Sequence, residues 1–213
     1  MLIAVIPCHN EAATLAAVVR RASDFGQVLV VDDRSTDLSA QVARTAGGEV
    51  IPSRSRGYDG AIDTGLAEAF ARGATQVVTL DADGEHDPAL VGAFAAALSD
   101  GVELVCGVRR RPQRAAEHLA AALGRAILGV RDPLCGMKGY ARPAIARYLQ
   151  SRAPLHVNMT PMVLSRRAGA PYVEIPVSGE VREGRPRFGR ALKANLAILG
   201  ALFAVLKLKG VSA

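Results

Sequence analysis

Three carboxylates stand at alternate positions directly after an apolar segment of the chain. The segment VVTLDADGEHDP, residues 77–88, begins as a buried strand and continues into Asp81, Asp83 and Glu85. Side chains of a strand point alternately to its two faces, so an extended backbone would place all three carboxylates on one face. Their repulsion would need compensation, and Mg²⁺ or Mn²⁺ accepts such oxygen ligands. The segment therefore predicts a divalent-metal site, with a polar helix-capping turn as the alternative.

Two further apolar segments lead into residues that could bind a ligand. The segment at 2–7 leads into Glu11, and the segment at 27–33 ends in Asp33. A carboxylate at Asp33 can accept hydrogen bonds from ribose hydroxyls or from the N–H edge of a uracil or guanine ring. Helix capping is the alternative role for Glu11 and the favoured role for Asp37. Asp33 is therefore the stronger candidate for a ligand-binding role.

The elements that must position these groups follow from the hydrophobic pattern. Apolar runs predict buried strands at residues 2–7, 27–33, 49–52, 76–83 and 102–108. Ala-rich segments with helical spacing lie between them, at about 11–23, 37–46, 60–72 and 88–99. This alternation predicts a single α/β domain with a mostly parallel sheet and helices on both faces. Ligands bind beyond the carboxyl ends of such strands, where the polar residues stand.

The pattern is less regular after residue 108. We predict helices near 115–129, 143–151 and 158–168, a strand at 172–178, and an irregular or short β segment at 131–142. Residues 194–206 carry no charge, but this run is shorter than the roughly 18–20 residues of a membrane-spanning helix. It predicts a C-terminal helix that packs on the domain or on a partner subunit, or that lies at a membrane surface.

Acidic and basic residues are divided unevenly between the two halves of the chain. Of the 26 Lys and Arg and the 20 Asp and Glu, residues 1–106 hold 7 and 15, and residues 107–213 hold 19 and 5. A basic half of this kind predicts an anionic partner, such as a phosphate group or an anionic membrane surface. Nucleic acid is disfavoured, because the basic half has few aromatic residues and no recognised binding motif.

Cysteine usage and the N-terminus indicate the compartment. Cys8, Cys106 and Cys135 have no metal-like spacing, which predicts reduced thiols. The N-terminus lacks a basic region and its apolar run LIAVIP is short, so neither a signal peptide nor a leading membrane span is expected. Both observations predict a cytoplasmic protein.

Five segments occur in the order and spacing seen in family 2 glycosyltransferases. They are VIPCHNEAATL, VLVVDDRSTD, GYDGAIDTGL, LDADGEHDP and DPLCGMKGY. The resemblance covers roughly residues 2–190 and is closest to the branch of dolichyl-phosphate mannose synthase and bacterial polyprenyl-phosphate glycosyltransferases. It implies a Rossmann-like GT-A domain at 1–190, with a nucleotide-sugar-binding half at 1–107 and an acceptor half at 108–190. An apolar C-terminal helix at 191–213 would follow.

The same resemblance implies a UDP- or GDP-sugar donor, a divalent metal (Mg or Mn) and an inverting transfer. It also implies roles for individual residues, in three groups. The groups are Pro7, Glu11, Asp33, Asp81 and Arg125 for the donor; Asp81, Asp83 and Glu85 for the metal; and Asp83, Arg109 and Arg187 for the transfer itself. Arg109, Arg125 and Arg187 resemble the family's phosphate-contacting arginines.

The chain departs from the family pattern at several positions. His9 replaces a common Tyr or Phe, Glu85 replaces Gln, and Lys138 stands where Arg is frequent. Asp59 and Asp63 occupy positions where small or basic residues are usual. These departures leave the class intact and the choice of sugar and base open.

The acceptor class follows from what the basic half offers. A hydroxyl acceptor needs a general base, whereas a lipid phosphate is already anionic at pH 7. The downstream acids are few: Glu117, Asp132, Glu174, Glu180 and Glu183. Arginine, which binds phosphate bidentately, is abundant, and exposed arginines such as Arg110, Arg111, Arg166 and Arg167 are better explained as solvated charges.

The sequence therefore predicts a metal-dependent, inverting glycosyltransferase that moves a sugar onto a polyprenyl phosphate at the cytoplasmic face of a membrane. Three alternatives stay open at this point. They are a hydroxyl acceptor, a non-catalytic nucleotide-sugar-binding protein, and a membrane-scaffolding subunit whose partner is recruited by residues 194–206. The C-terminal helix could also form a homo-oligomer with a second copy of the chain.

Overall fold

Seven strands form one sheet in the computed structural model, which describes residues 1–110, 115–156, 158–177, 200–201, 203–204 and 207. The strands are β1 (Leu2–Cys8), β2 (Gln27–Asp32), β3 (Glu49–Pro52), β4 (Gln76–Thr79), β5 (Leu104–Arg109), β6 (Lys138–Ala141) and β7 (Tyr172–Val177). Their order in the sheet is β3-β2-β1-β4-β6-β5-β7. Only β6 runs antiparallel to its neighbours, β4 and β5. The mostly parallel sheet predicted from the sequence is therefore confirmed.

Seven helices are assigned bounds in the described part of the chain. They are α1 (Leu15–Ser23), α2 (Ser39–Thr45), α3 (Tyr58–Ala71), α4 (Leu90–Ser99), α5 (Ala115–Leu128), α6 (Arg142–Ser151) and α7 (Thr160–Arg167). None of the described helices combines the length and the apolar composition that crossing a membrane requires. Of the predicted C-terminal helix, residues 200, 201, 203 and 204 are helical, and the remainder of 194–206 lies outside the described residues.

Alternate residues of the central strands face two separate cores. In β1, Ile3 and Val5 join the cluster that α3, α6 and α7 cover, whereas Ala4 and Ile6 join the cluster that α1, α2 and α4 cover. This is the two-residue periodicity of a strand that is buried on both faces. The helices cover both faces of the sheet, and in folds of this kind ligands bind beyond the carboxyl ends of the parallel strands.

Two predicted boundaries were wrong by four residues, and both lie at the carboxyl ends of the strands. β4 ends at Thr79 rather than at residue 83, because the last sheet hydrogen bond joins Leu80 N to Val5 O (3.1 Å) and residues 82–83 form a turn. Helix α1 begins at Leu15 rather than at residue 11, because the residues before it bind the neighbouring loop. The segment at 131–142 was predicted to be irregular or a short β segment, and it contains the short strand β6.

Candidate active site

The loops that follow β1 and β2 are hydrogen-bonded to each other along their length. Asn10 donates its backbone N–H to Ser35 Oγ (3.0 Å), and its side-chain oxygen accepts the Thr36 N–H (2.7 Å). Glu11 donates its backbone N–H to Ser39 Oγ (2.8 Å). Asn10 adopts φ 56°, a left-handed conformation that Asn tolerates better than most residues. These contacts hold the first rim of the site in a defined shape.

Asp33 joins β2 to the start of α3. Its carboxylate accepts the Gly57 N–H (2.6 Å) and an N–H from Arg34 (2.7 Å), while its carbonyl oxygen lies 2.7 Å from His9 Nδ1. The side chain is 14% exposed. Because an ionised carboxylate has about four acceptor positions, Asp33 retains capacity for a ligand at the open edge. Pro7 is buried in β1, in register with Val31.

The segment from Asp81 to Glu85 forms a turn and not a strand, which corrects the expected alternation of its carboxylates. Thr14 Oγ1 donates to Ala82 O (2.8 Å), and the Glu85 N–H donates to Asp83 Oδ1 (3.1 Å). Gly84 has φ 78°, which L side chains rarely adopt, so a glycine is required where the turn reverses. The three acids are consequently close in the chain but not aligned on one strand face.

Asp87 lies just beyond this turn, in the segment that leads into α4. Its Oδ1 accepts the Ala89 N–H (3.0 Å), and α4 begins two residues later than expected, at Leu90. This bond shapes the entry to α4 and accounts for Asp87 but not for the acids that precede it.

Asp81 occupies the most constrained position in the turn. Its Oδ1 is buried and has no hydrogen-bond partner among the described residues, and its Oδ2 lies 3.7 Å from Nε2 of the buried His86. A Cβ added to Gly136 would lie 2.1 Å from Asp81 Oδ2, so only glycine fits beside the carboxylate. Burial raises the pKa of Asp81 above its ordinary value, although the nearby His86 acts in the opposite direction. A carboxylate oxygen in this state favours an incoming cation or hydrogen-bond donor.

Asn158 fixes the backbone beside Asp81, and the sequence analysis missed it. The Asn158 side chain donates to Thr79 Oγ1 (3.0 Å) and Gly136 O (3.3 Å), and its oxygen accepts from the Tyr140 hydroxyl (3.2 Å). The residue is 1% exposed and has φ 51°. In the sequence Asn158 is one of several polar residues among apolar ones in LHVNMTPMVL, residues 155–164, and this pattern does not reveal its partners.

Arg109 lies at the end of β5 in a cluster of opposite charges. Its Nε and Nη2 donate to the two oxygens of Asp132 (2.8 and 3.0 Å), and Nη1 lies 3.6 Å from Glu117 Oε2. Burial alone would raise the pKa of Asp132, but the hydrogen bonds from Arg109 hold it below its ordinary value. The cluster adjoins the Asp81 turn through Cys135, whose backbone N–H donates to Asp132 O (3.4 Å) and whose Sγ lies 3.9 Å from His86 Nε2.

Comparison with known proteins identifies the family. Residues 3–167 match the model of glycosyl transferase family 2. The chain belongs to glycosyl transferase family 2. It is 29% identical over 223 residues to an uncharacterized glycosyltransferase of Mycobacterium tuberculosis, a match that covers 95% of this chain and 93% of the relative. The resemblance stated from the sequence motifs, and the assignment as a glycosyltransferase, are both confirmed.

More distant similarities extend the comparison. The chain is 27% identical over 201 residues to undecaprenyl-phosphate 4-deoxy-4-formamido-L-arabinose transferase of Salmonella choleraesuis, covering 84% of this chain and 59% of that relative. The fold resembles the crystal structure of glucosyl-3-phosphoglycerate synthase of M. tuberculosis with a TM-score of 0.77 at 23% identity, over 98% of this chain and 81% of that one. At that identity the likeness confirms the GT-A fold alone.

The metal residues predicted for this family 2 glycosyltransferase can be tested against the geometry. Within the described ranges, no three His, Cys, Asp or Glu side chains converge as a metal-binding group. Asp81, with its buried oxygen, and Asp83 nonetheless fit a cation that takes its other ligands from a bound phosphate, as Mg²⁺ commonly does. Glu85 follows in the same turn. The donor set therefore suits a metal shared with a ligand rather than one enclosed by protein.

The structure does not place the other predicted arginines, Arg125 and Arg187, beside Arg109 and Asp132 within its described residues. Arg125 is exposed on α5 and makes no hydrogen bond or ion pair with any residue that the structure describes. Arg187 lies outside the described residues. Arg166, expected to be a solvated charge, instead donates to Leu128 O (2.9 Å) and Ala170 O (3.1 Å) and stacks on the Tyr172 ring at 3.7 Å.

The two unusual aspartates of α3 have structural partners. Asp59 accepts the backbone N–H of Asn158 (3.1 Å), and Asp63 accepts the Tyr148 hydroxyl (2.6 Å). Both bonds tie α3 to the segment that carries α6 and α7. The departure from the family pattern at these positions is therefore explained by packing.

Proposed function

We propose that this glycosyltransferase transfers a sugar, with inversion, from a nucleotide-sugar donor to a polyprenyl phosphate. One observation carries the choice of acceptor. Each described acid of the basic half lies within ion-pair distance of an arginine: Glu117 and Asp132 at Arg109, and Glu174 at Arg131. A carboxylate engaged in this way is a weak general base, whereas a phosphate acceptor needs none.

The donor side of the proposal rests on residues in β1 and in the loops that follow β1, β2 and β4. Pro7, Glu11 and Asp33 would bind the nucleotide, and Asp81, Asp83 and Glu85 would hold Mg or Mn with the donor diphosphate. A metal in that place supplies positive charge to the departing nucleoside diphosphate. Structures of the M. tuberculosis glucosyl-3-phosphoglycerate synthase in complex with Mn²⁺ and UDP support this donor class.

Arginine would bind the acceptor. The guanidinium of Arg109 is oriented by Asp132, and because arginine has five N–H donors it keeps some for a phosphate oxygen. Arg125 and Arg187 are proposed as further phosphate contacts. The Salmonella relative is named as an undecaprenyl-phosphate transferase, and this supports a lipid phosphate as the acceptor of the present chain. The proposed location is the cytoplasmic surface of a membrane, where such a lipid is held.

The donor is tested first by thermal unfolding with UDP and with GDP, each with and without Mn²⁺. Stabilisation by one nucleotide only when Mn²⁺ is present would support the Asp81 and Asp83 site and identify the base. An identical midpoint under all four conditions would contradict the donor proposal.

The acceptor is tested by sugar transfer to a short-chain polyprenyl phosphate and, in parallel, to phosphoglyceric acid. Product on the lipid phosphate alone is the expected result, since its oxygen needs no deprotonation. Product on phosphoglyceric acid would replace the proposal with the hydroxyl-acceptor alternative. An Arg187→Ala variant is expected to raise KM for the lipid phosphate more than KM for the donor, with Arg110→Ala as the control.

A further inference from the structure

Asp81 and Gly136 face each other just beyond the point where two antiparallel strands stop pairing. The last pair of β4 and β6 joins Thr79 to Lys138. Asp81 lies two residues after this pair in the chain and Gly136 lies two residues before it, so the antiparallel register brings them opposite each other. The short approach of a Gly136 Cβ to Asp81 Oδ2, 2.1 Å, agrees with this placement. Since the pairing ends before this point, another group has to hold the two segments together.

The side chain of Asn158 binds both segments at this point. Its amide donates to Gly136 O (3.3 Å) and to Thr79 Oγ1 (3.0 Å), and the Thr79 hydroxyl also donates to Gly136 O (2.9 Å). The Tyr140 hydroxyl donates to Asn158 Oδ1 (3.2 Å) and orients the amide. Because Asn158 is 1% exposed, water does not compete for these bonds. The Asn158 amide therefore takes the place of the next hydrogen bond between the strands.

The backbone of Asn158 connects the same point to helix α3. Its N–H donates to Asp59 Oδ1 (3.1 Å), in the first turn of the helix. Gly57, directly before the helix, donates its N–H to Asp33 Oδ2 (2.6 Å). The Asp59 bond thus packs α3 against the segment before α7 and also fixes where Asn158 lies. A continuous set of contacts runs from Asp33 through α3 and Asn158 to the Asp81 turn.

Asparagine suits position 158 for two reasons. Asn158 has φ 51°, a left-handed conformation that asparagine adopts more readily than most residues. Its short amide offers two N–H donors and an acceptor, which match the two oxygens and the hydroxyl around it. Glycine would tolerate the same backbone conformation and would keep the N–H that binds Asp59, but it would remove the amide. Asn158→Gly therefore separates the side-chain bonds from the backbone.

We propose that Asn158 is a positioning residue of the donor site, an inference that rests on the proposed nucleotide-sugar donor. It holds Gly136 against Asp81 and so fixes the direction in which that carboxylate faces. Its link to α3 keeps the Asp81 turn at a set distance from Asp33. A donor bound at Asp33 through its nucleoside then finds the second carboxylate already oriented, and such pre-organisation strengthens binding. Asn158 is buried and acts through these residues, without contact to the donor.

Tyr148 provides a matched control for a purely structural role. Its hydroxyl donates to Asp63 Oδ1 (2.6 Å), one turn further along α3 than Asp59, and so joins α3 to α6. Like Asn158 it is buried, at 3% exposure. Tyr148→Phe removes this bond and keeps the ring, so it weakens the attachment of α3 without touching the Gly136 segment.

The first experiment is a double-mutant cycle in the free protein, measured by thermal unfolding. Gly136→Ala should lower the unfolding midpoint, because its Cβ meets the Asp81 carboxylate. In the Asn158→Gly background Gly136 can move away, so the same change should lower the midpoint about half as much. Tyr140→Phe, which frees the amide less completely, should give a smaller change in the same direction, and Tyr148→Phe should give none. Additive losses in both the Asn158→Gly and Tyr140→Phe backgrounds would overturn the inference.

The second experiment measures how strongly Mn²⁺ and the nucleotide favour each other's binding, by titration calorimetry with UDP and with GDP. Mn²⁺ should tighten the binding of one nucleotide to the unaltered chain. In Asn158→Gly this enhancement should fall about tenfold, while Kd for the nucleotide without Mn²⁺ changes less than about twofold. Tyr148→Phe should lower the unfolding midpoint and keep the enhancement. If Asn158→Gly also lowers the midpoint and keeps the enhancement, its role is only structural and the inference is wrong.

The outcomes separate this inference from the proposed function. Absence of binding by both nucleotides to the unaltered chain with Mn²⁺ would contradict the donor proposal, and with it the role of Asn158 toward the donor, even if the cycle is non-additive. Binding by the unaltered chain with an enhancement that survives in Asn158→Gly would contradict the present inference alone.

Discussion

The turn after β4 and the cluster after β5 differ in whether their charged groups have partners within the protein. In the turn after β4, Asp81 keeps a buried oxygen that no described residue satisfies. After β5, Arg109 and Asp132 are paired through two side-chain hydrogen bonds, with Glu117 close by, although Arg109 keeps further N–H donors. A buried polar group without a partner favours the binding of a ligand that supplies one. A region whose charges are paired with each other mainly stabilises its own conformation.

The largest effect on activity is expected in the turn after β4, where a ligand would supply the missing partner. Asp83→Asn should lower transfer about a thousandfold and abolish the dependence on Mn²⁺, because the turn loses the charge that would hold the metal. Activity over a Mn²⁺ titration measures this. Asp100→Asn, at an exposed carboxylate after α4, is the control. Full activity of Asp83→Asn would remove the metal from the proposal.

The internally paired region should respond through stability. Asp132→Asn should lower the free energy of unfolding by about 2 kcal/mol, because Arg109 would remain largely buried with only Glu117, at 3.6 Å, as a charged partner. Urea denaturation measures the loss. Glu174→Gln is a matched control: it breaks the pair with Arg131, which is 52% exposed, and should cost less than about 1 kcal/mol. Equal losses in the two variants would contradict the contrast.

The same pair has a defined pH dependence. The pKa of Asp132 is lowered in the folded protein, so its contribution to stability is fully present above the ordinary carboxyl value of about 3.9 and disappears as pH falls through the lowered value. The stability gap between the unaltered chain and Asp132→Asn should therefore be constant from pH 7 to about pH 5 and narrow at lower pH. A gap that widens on acidification would show that Asp132 is not the stabilising group.

Gly136→Ala tests the close approach between Asp81 and the chain before β6. The added Cβ would lie 2.1 Å from the carboxylate, so we expect a loss of about 2 kcal/mol in stability and weaker nucleotide binding. Gly200→Ala is the control, because a Cβ there meets nothing within 4 Å. Unchanged stability and binding in Gly136→Ala would mean that this space is not constrained.

The smallest predicted effect is a gain in stability, and it tests the contrast between the two regions most directly. Asp81→Asn, without metal or nucleotide, should raise the free energy of unfolding by about 1 kcal/mol, because a neutral amide is less costly to bury than an unsatisfied carboxylate. Transfer should fall in the same variant. Thermal unfolding checks the first expectation; destabilisation of the free protein would show that Asp81 is internally compensated after all.

Local patterns were sufficient to predict the strands and the edge at which the polar residues gather. A continuous apolar run indicates a strand that is buried on both faces, and an alternating pattern indicates one buried face. Both patterns can be recognised without knowing which distant residues the strand contacts. The end of β4 could not be predicted in the same way. Whether the backbone stays extended past Leu80 depends on the hydrogen bond from Thr14 to Ala82 O, which joins residues 68 positions apart.

The residues that position the site were the least predictable. Asn158 reaches Thr79 across 79 positions, and Asp63 reaches Tyr148 across 85. No periodicity marks such pairs, and a polar residue in an apolar stretch has many partners open to it. From the sequence, Asp59 and Asp63 left the choice of donor open, and their contacts in the structure belong to packing. The resemblance to the family predicted the acids of the turn but not what holds them.

The antiparallel strand β6 has a consequence for synthesis of the protein. It lies between β4 and β5, so residues 1–107 alone would leave one side of β4 without a neighbour. While the ribosome extends the chain, that strand edge stays exposed until residues 138–141 emerge, and exposed strand edges template aggregation. A chain that stalls before β6 is therefore the form for which a chaperone matters most.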